Sequence, residues 1–110
     1  MHPRRGEVWW VAFDPSLGGE VQKTRPAVVV SNNAANATLN RVIVVPLSSQ
    51  TAKVYPGEAL VTLMGEERKA MADQIMTASK QRLRSKLGEL SSAGVAAIET
   101  AVLLQLGIRR

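Results

Sequence analysis

The chain has 110 residues, enough for one small domain with its own core, and its apolar content of 45% is typical of a folded protein. The sequence contains no cysteine, which excludes disulfides, thiolate metal sites and cysteine nucleophiles and is compatible with a reducing cytoplasm. Fourteen Lys and Arg residues against nine Asp and Glu give a net charge of +5, which favours a polyanionic partner. Neither a secretory signal nor an apolar run of membrane-spanning length is visible, so we expect a cytoplasmic protein without a membrane partner.

Short β-branched and aromatic runs predict four strands in the first part of the chain. Between the second and third runs, residues 32–39 are small and polar and predict one or two helical turns capped by Ser31 or Asn32. The predicted strands cover Gly6–Asp14, Arg25–Ser31, Arg41–Leu47 and Glu58–Leu63.

The second part of the chain predicts a charged turn over residues 64–68. Residues 69–78 fit a helix or a strand on pattern, and the preceding run of strands favours a strand with Asp73 and Gln74 near its middle. One helical turn over 79–84 and a short strand or connector over 86–90 follow. The last segment predicts a helix from Ser91 or Ser92 to about Gly107. This helix is apolar nearly all round, so we expect it to be buried on more than one side, with the help of a second subunit.

Together these elements predict a mainly β fold with helices (α+β), in which about five to seven strands form a small, curled, partly open barrel. A C-terminal helix completes the fold. No internal repeat or second-domain boundary is visible, so we expect a single domain over residues 1–110.

The segment from Asp14 to Ser31 is the most distinctive part of the sequence. A polar stretch containing Gly18 and Gly19 leads into Arg25 and Pro26. Because proline disfavours the α region for the preceding residue, Arg25 is expected to be extended at the mouth of a strand. Its guanidinium is permanently charged and its donors fit phosphate oxygens. An ordinary salt-bridging arginine on a hairpin loop is the alternative interpretation.

Few other residues offer catalytic chemistry. The one histidine, His2, lies at the N-terminus, and the carboxylates form no convincing pair, so we expect neither a metal nor a cofactor. Arginine and hydroxyl groups suit phosphodiester cleavage in which the substrate supplies its own nucleophile, as RNA does through its 2′-hydroxyl. The protein then has to align that hydroxyl, neutralise charge and transfer protons.

Three stretches in this order resemble the MazF/PemK family of toxin endoribonucleases over nearly the whole chain: RRGEVWWVAFDPSLGGEVQKTRPAVVVSNN, VIVVPLSSQTAKVYPGEALV and ADQIMTASKQRL. The resemblance implies a small SH3-like β-barrel, a homodimer, and metal-independent cleavage of single-stranded RNA at short sequences. The expected products carry 2′,3′-cyclic phosphate and 5′-hydroxyl ends. An antitoxin, whose disordered tail blocks the RNA groove, is the implied protein partner.

The resemblance also assigns roles to individual residues. The catalytic arginine of the family falls on Arg25 and its catalytic threonine on Ser48, where this sequence keeps the hydroxyl but lacks the methyl that restricts χ1. Ser49 or Thr51 is able to share that role. Glu20 matches the family's loop glutamate, for which ordering the loop is favoured over acting as a base.

Further residues are expected to contact the RNA. Asp73 and Gln74 match the A-D-Q motif of the family and are expected in the RNA groove, although Asp73 also suits a structural hydrogen bond. The remaining expected contacts are basic, amide or aromatic side chains: Lys23, Gln50, Lys53 and Tyr55. A solvated surface position for Lys53 and a turn anchor for Tyr55 are the alternatives.

Three other functions fit parts of the sequence. A noncatalytic SH3-like binding module and a topoisomerase-poisoning toxin of the same fold are two of them, but neither needs an arginine together with a hydroxyl. A structural dimerisation protein explains the last helix but not the segment from Gly18 to Arg25. The combination of Arg25 and Ser48 therefore favours RNA cleavage.

Overall fold

In the computed structural model, residues 2–13 and 23–109 are described. They form seven strands, two helices and two 3₁₀ turns. The strands are β1 (Glu7–Ala12), β2 (Thr24–Val29), β3 (Arg41–Ser48), β4 (Glu58–Leu63), β5 (Glu66–Met71), β6 (Met76–Ser79) and β7 (Leu83–Glu89). The helices are α1 (Asn33–Thr38) and α2 (Ser92–Leu106), and the 3₁₀ turns are Ala72–Gln74 and Lys80–Arg82.

The strands form one antiparallel, curled sheet in the order β4-β5-β3-β2-β1-β7, and β6 pairs with β3 beside this path. The two ends of this order approach each other, since a Cβ added to Gly88 of β7 would lie 3.3 Å from Leu63 Cδ1 of β4 and 3.7 Å from Met64 Sδ. The structure confirms the predicted class, a mainly β fold with a partly open barrel and a C-terminal helix.

Both faces of the central strands are apolar, because side chains alternate along a strand. On one face, Val28 of β2 and Leu47 of β3 belong to a buried cluster that Ile98 of α2 completes. On the other face, Ala27 and Val29 belong to a second cluster around Val11. Burial on both faces explains why β2 and β3 read as continuous β-branched runs, as the sequence predicted.

Two predictions for the segment after β4 are wrong. The turn consists of Met64 and Gly65 alone, with φ of 52° and 80°, and residues 66–68 belong to β5. The single strand expected over 69–78 is divided into β5, a 3₁₀ turn that contains Asp73 and Gln74, and β6. The reason is a change of register against β3, since Leu47 pairs with Ala70 whereas Val44 pairs with Met76. The 3₁₀ turn accommodates the additional residues.

The helix caps follow the sequence closely. Asn32 caps α1 by accepting a hydrogen bond from the Ala35 N–H at 2.8 Å, and Ser91 caps α2 by accepting one from the Gly94 N–H at 3.1 Å. Helix α2 ends at Gly107, which adopts the left-handed conformation with φ of 70°.

Burial of α2 on more than one side is not found within one chain. Ile98 and Ala101 are buried, whereas the Leu104 and Leu106 side chains are 61% and 55% exposed. The single sheet covers the side of the helix that carries Ile98 and Ala101, and the apolar side chains near its C-terminal end remain exposed to solvent. Among the described residues, none of the helices is both long and apolar enough to cross a membrane.

Candidate active site

The strand register brings the two predicted catalytic residues to neighbouring positions. In the β2–β3 pairing, Ala27 is the partner of Pro46. Arg25 and Ser48 each lie two residues beyond this pair, where the β2–β3 ladder has ended, Arg25 pairs with β1 and Ser48 pairs with β5. The arginine and the hydroxyl are far apart in sequence but lie at the same end of two adjacent strands.

The surroundings of Arg25 follow from the Arg-Pro step. Arg25 is extended and exposed at the beginning of β2, as predicted, whereas Ala27 and Val28 are already buried. The backbone of Arg25 is held against β1, where its partner is Val11. Pairing with the fully buried Val11 therefore holds the backbone of the exposed Arg25.

Ser48 is the last residue of β3 and is half-buried. Its Oγ accepts a hydrogen bond from the Gln50 N–H at 3.1 Å, which restricts the side chain although the methyl of a threonine is missing. The hydroxyl hydrogen remains able to donate to a substrate oxygen. Ser49 is exposed at the next position, in the bend that follows β3.

A third residue, Lys69, extends the Arg25–Ser48 pair to a row of three. Lys69 of β5 is the partner of Ser48, so its side chain projects on the same face. Its Nζ donates to the Lys53 carbonyl oxygen at 3.1 Å and lies 3.5 Å from Glu58 Oε1. The same Glu58 oxygen accepts a hydrogen bond from the Tyr55 N–H at 2.8 Å. The sequence analysis did not identify Lys69 and Glu58 as site residues. The alternation of the charged Lys69 with the apolar Ala70 was the pattern that could have indicated Lys69.

Three of the expected RNA contacts project from one loop. Gln50, Lys53 and Tyr55 are exposed on residues 49–57, the connection from β3 to β4 that begins directly after Ser48. Tyr55 is the most open of them, with 59% of its surface exposed. The structure therefore places the aromatic and basic side chains beside the Arg25–Ser48 pair, where they are accessible to a long substrate.

The remaining predicted residues lie around this centre. Lys23 is exposed just before β2, with φ of 63°, and its carbonyl accepts a hydrogen bond from the Phe13 N–H at 2.9 Å. Asp73 is exposed and Gln74 is half-buried on the first 3₁₀ turn. That turn is joined to the far end of the 49–57 loop by a 3.1 Å hydrogen bond from the Ala72 N–H to the Gly57 carbonyl. The prediction for Glu20 falls outside the described residues.

Within residues 2–13 and 23–109, His, Asp and Glu side chains form no group of three or more that is able to hold a metal ion. The chemistry available from the described residues is that of a fixed cation, a hydroxyl donor and peripheral basic groups, a set suited to binding a phosphodiester.

Comparison with known proteins identifies chains that are similar over nearly the whole length. Endoribonuclease MazF9 of Mycobacterium tuberculosis (strain ATCC 25618 / H37Rv) is 42% identical over 114 aligned residues, which cover 96% of this chain and 97% of that protein. Among solved structures, MazF from Deinococcus radiodurans superimposes with a TM-score of 0.84 at 27% identity, covering 98% of this chain and 99% of that one. An endoribonuclease in complex with its cognate antitoxin, from a Mycobacterial species, gives a TM-score of 0.82 at 28% identity, with 98% of both chains covered.

A family-level comparison gives the same result over most of the chain. The model of the family described as PemK-like, MazF-like toxin of type II toxin-antitoxin system matches residues 4–106, which include all seven strands and helix α2. The row formed by Arg25, Ser48 and Lys69 lies inside the matched region. The chain therefore belongs to the PemK-like, MazF-like toxins of type II toxin-antitoxin systems.

Proposed function

We propose that this family member is an endoribonuclease that cleaves single-stranded RNA without a metal ion, by attack of a 2′-hydroxyl on the adjacent phosphodiester. The observation that carries the proposal is that Arg25 and Ser48, a cation and a hydroxyl donor, lie at the same end of the adjacent strands β2 and β3. The endoribonuclease names of the similar proteins support the same activity.

The reaction needs little from the protein beyond alignment and charge stabilisation. The 2′-hydroxyl releases its proton to solvent water as its oxygen forms a bond to phosphorus, the bond to the 5′-oxygen breaks, and the products carry a 2′,3′-cyclic phosphate and a 5′-hydroxyl. Arg25 neutralises the charge that develops on the phosphate oxygens and serves as the proton donor to the leaving 5′-oxygen. Ser48 donates a hydrogen bond to a phosphate oxygen, and Glu20 orders the loop before β2.

Substrate binding extends beyond the scissile phosphate. Gln50, Lys53 and Tyr55 on the 49–57 loop contact the neighbouring nucleotides, Tyr55 by stacking on a base. Lys23, Asp73 and Gln74 line the same groove, and Ser49 is an auxiliary hydroxyl. Residues 1–110 form a single functional domain. Because its substrate is RNA, the protein acts in the cytoplasm.

Assembly completes the functional unit. Leu104 and Leu106 at the C-terminal end of α2, and Ile108 just after it, are more than half exposed, and this apolar surface supports a homodimer because dimerisation would remove it from water. A cognate antitoxin is the second protein partner, by analogy with the similar endoribonuclease that was solved as such a complex. We expect Leu104→Glu to lower the mass measured by light scattering from that of a dimer to that of a monomer, whereas the exposed helix residue Thr100→Glu does not.

The activity is tested by incubating the purified protein with a long, unstructured RNA in the presence of EDTA and mapping the new 5′ ends. Discrete cuts with 5′-hydroxyl ends are expected, and they give the recognition sequence directly. Intact RNA, with the protein shown to be folded, would contradict the proposal and favour a noncatalytic binding module. Inhibition of a topoisomerase is then the next assay.

A further inference from the structure

We propose that Lys69 and Glu58 form a positioning ion pair that holds the 49–57 loop in its RNA-binding conformation. The inference rests on the proposed function for its link to RNA, but the loop geometry on which it depends is measurable without RNA. Neither residue touches the reacting phosphate in this proposal. They act through the backbone of the loop that carries Lys53 and Tyr55.

The pair reaches the loop at two places. The Lys69 ammonium donates to the carbonyl oxygen of Lys53 at 3.1 Å. Glu58, the first residue of β4, accepts the backbone N–H of Tyr55 at 2.8 Å with the same Oε1 atom that lies 3.5 Å from the ammonium. One carbonyl and one N–H of the loop are thus fixed by a single pair of charges. The side chains of Lys53 and Tyr55 remain exposed while their backbone is held.

The low exposure of the pair distinguishes it from the other ion pairs of the chain. The Lys69 and Glu58 side chains are 12% and 10% exposed, whereas in the neighbouring pair Arg68 is 26% and Glu66 is 70% exposed. A weakly hydrated ion pair breaks less readily than a surface pair, because a lone charge left at the site lacks compensating water. The loop is therefore anchored by charges that are difficult to separate.

The position of Lys69 also connects the loop to the catalytic row. Lys69 is the β5 partner of Ser48, the residue after which the loop begins. The loop consequently starts beside the β3–β5 pairing and is held to β5 again at Lys53. This path keeps the loop folded back along the sheet next to Ser48, with its exposed side chains available to the nucleotides that flank the cleaved bond.

Direct phosphate binding by Lys69 is the competing role for this cation. Of its three N–H donors, one is committed to the Lys53 carbonyl, and the ammonium charge is balanced by Glu58. If Lys69 binds phosphate directly, removing Glu58 raises the affinity for RNA, because the competing carboxylate disappears. If the pair positions the loop, the same change lowers the affinity. The two roles therefore predict opposite effects of Glu58→Gln on RNA binding.

The sequence provides a specific reporter for the loop, since Tyr55 is its one tyrosine. Protein labelled with ¹⁵N-tyrosine gives a single backbone amide signal, and that amide is the donor to Glu58. We expect Lys69→Met to accelerate hydrogen exchange of the Tyr55 amide roughly tenfold or more, because the carboxylate that holds it is no longer fixed. Lys69→Arg, which keeps the charge, is expected to restore the protection.

Kinetics on an oligoribonucleotide that spans a mapped cut site link the loop to substrate binding. We expect Lys69→Met and Glu58→Gln each to raise KM about tenfold while kcat changes far less, because the loop binds flanking nucleotides. The double variant is expected to be no worse than Lys69→Met alone, since the two residues act as a unit. Arg68→Met is the matched control: it removes one positive charge from the same strand and is expected to leave KM and the exchange rate unchanged.

The outcomes separate the two proposals. If the wild-type protein leaves RNA intact, the proposed function fails, while Tyr55 exchange still tests the positioning role. Unchanged exchange and unchanged KM in Lys69→Met would overturn the positioning role even in an active enzyme. A raised KM in Lys69→Met with a lowered KM in Glu58→Gln would also overturn it, in favour of direct phosphate binding.

Discussion

The Glu7 carboxylate of β1 and the Lys86 ammonium of β7 lie 3.1 Å apart and join the first strand to the last. Glu7 Oε1 also accepts hydrogen bonds from the Arg4 N–H at 2.9 Å and from Trp9 Nε1 at 3.0 Å. Burial raises the pKa of Glu7, but the hydrogen bonds from Arg4, Trp9 and Lys86 outweigh it, and the net pKa is below the ordinary value of 4.5. The glutamate of the opening Arg-Gly-Glu sequence therefore has a structural function.

The lowered pKa of Glu7 predicts how stability depends on pH. The unfolded chain binds a proton at Glu7 more readily than the folded chain, so ionised Glu7 stabilises the fold fully above pH 4.5. This contribution is lost as the pH falls through the lower folded pKa. We expect urea unfolding to show a stability gap between the wild type and Glu7→Gln at pH 7 that narrows below pH 4.5. A gap of constant size across that range would refute the assignment.

Arg25→Ala is expected to abolish detectable RNA cleavage, a loss of about a thousandfold or more, because the guanidinium stabilises charge in the transition state. The exposed side chain contributes little to the core, so circular dichroism and the thermal midpoint should remain those of the wild type. Arg41→Ala, at the opposite end of the sheet, is the control and should cleave normally. Normal cleavage by Arg25→Ala would remove Arg25 from the proposed site.

Ser48→Ala is expected to lower kcat about a hundredfold through loss of a hydrogen bond to the phosphate, whereas Ser48→Thr is expected to remain active. Ser49→Ala tests the neighbouring hydroxyl and should have little effect, because Ser49 lies beyond the end of β3 and does not occupy the position of the family threonine. The measurement is kcat on an oligoribonucleotide of known cut site. Equal activity of all three variants would transfer the hydroxyl role to Thr51.

Met64→Asn is expected to stabilise the protein by roughly 0.5–1 kcal/mol. Met64 and Gly65 form a two-residue turn in which both φ angles are positive, a conformation that asparagine tolerates better than methionine. Little packing is lost, since the Met64 side chain is 72% exposed. Urea unfolding gives the free energy. Met64→Ala is the control: it removes the side chain but keeps the strained backbone, so a gain equal to that of Met64→Asn would refute the turn argument.

The sequence alone predicted most elements that depend on local signals. The β-branched runs, the asparagine and serine helix caps, and Gly107 at the end of α2 are each decided by residues within a few positions. The extended conformation of Arg25 followed from Pro26 in the same manner. In each case the local preference and the tertiary structure agree, which is why the prediction was right.

The predictions that were wrong or incomplete concern pairing between segments that are distant in sequence. The split of residues 69–78 into two strands depends on how both pair with β3, which no local pattern shows. Lys69 and Glu58 read as ordinary surface charges until the β4–β5 hairpin places them side by side. Glu66 and Glu67 looked like a solvated turn because charged residues at the exposed edge of a strand have the composition of a loop.

The location of Arg25 and Ser48 on different strands has a consequence for the newly made toxin. The proposed centre needs both residues, and they come to the same end of the sheet only when β2 and β3 pair. The core cluster beneath these strands also contains Ile98 of α2. No contiguous segment of the chain therefore holds the proposed centre, and its activity should appear only with tertiary folding.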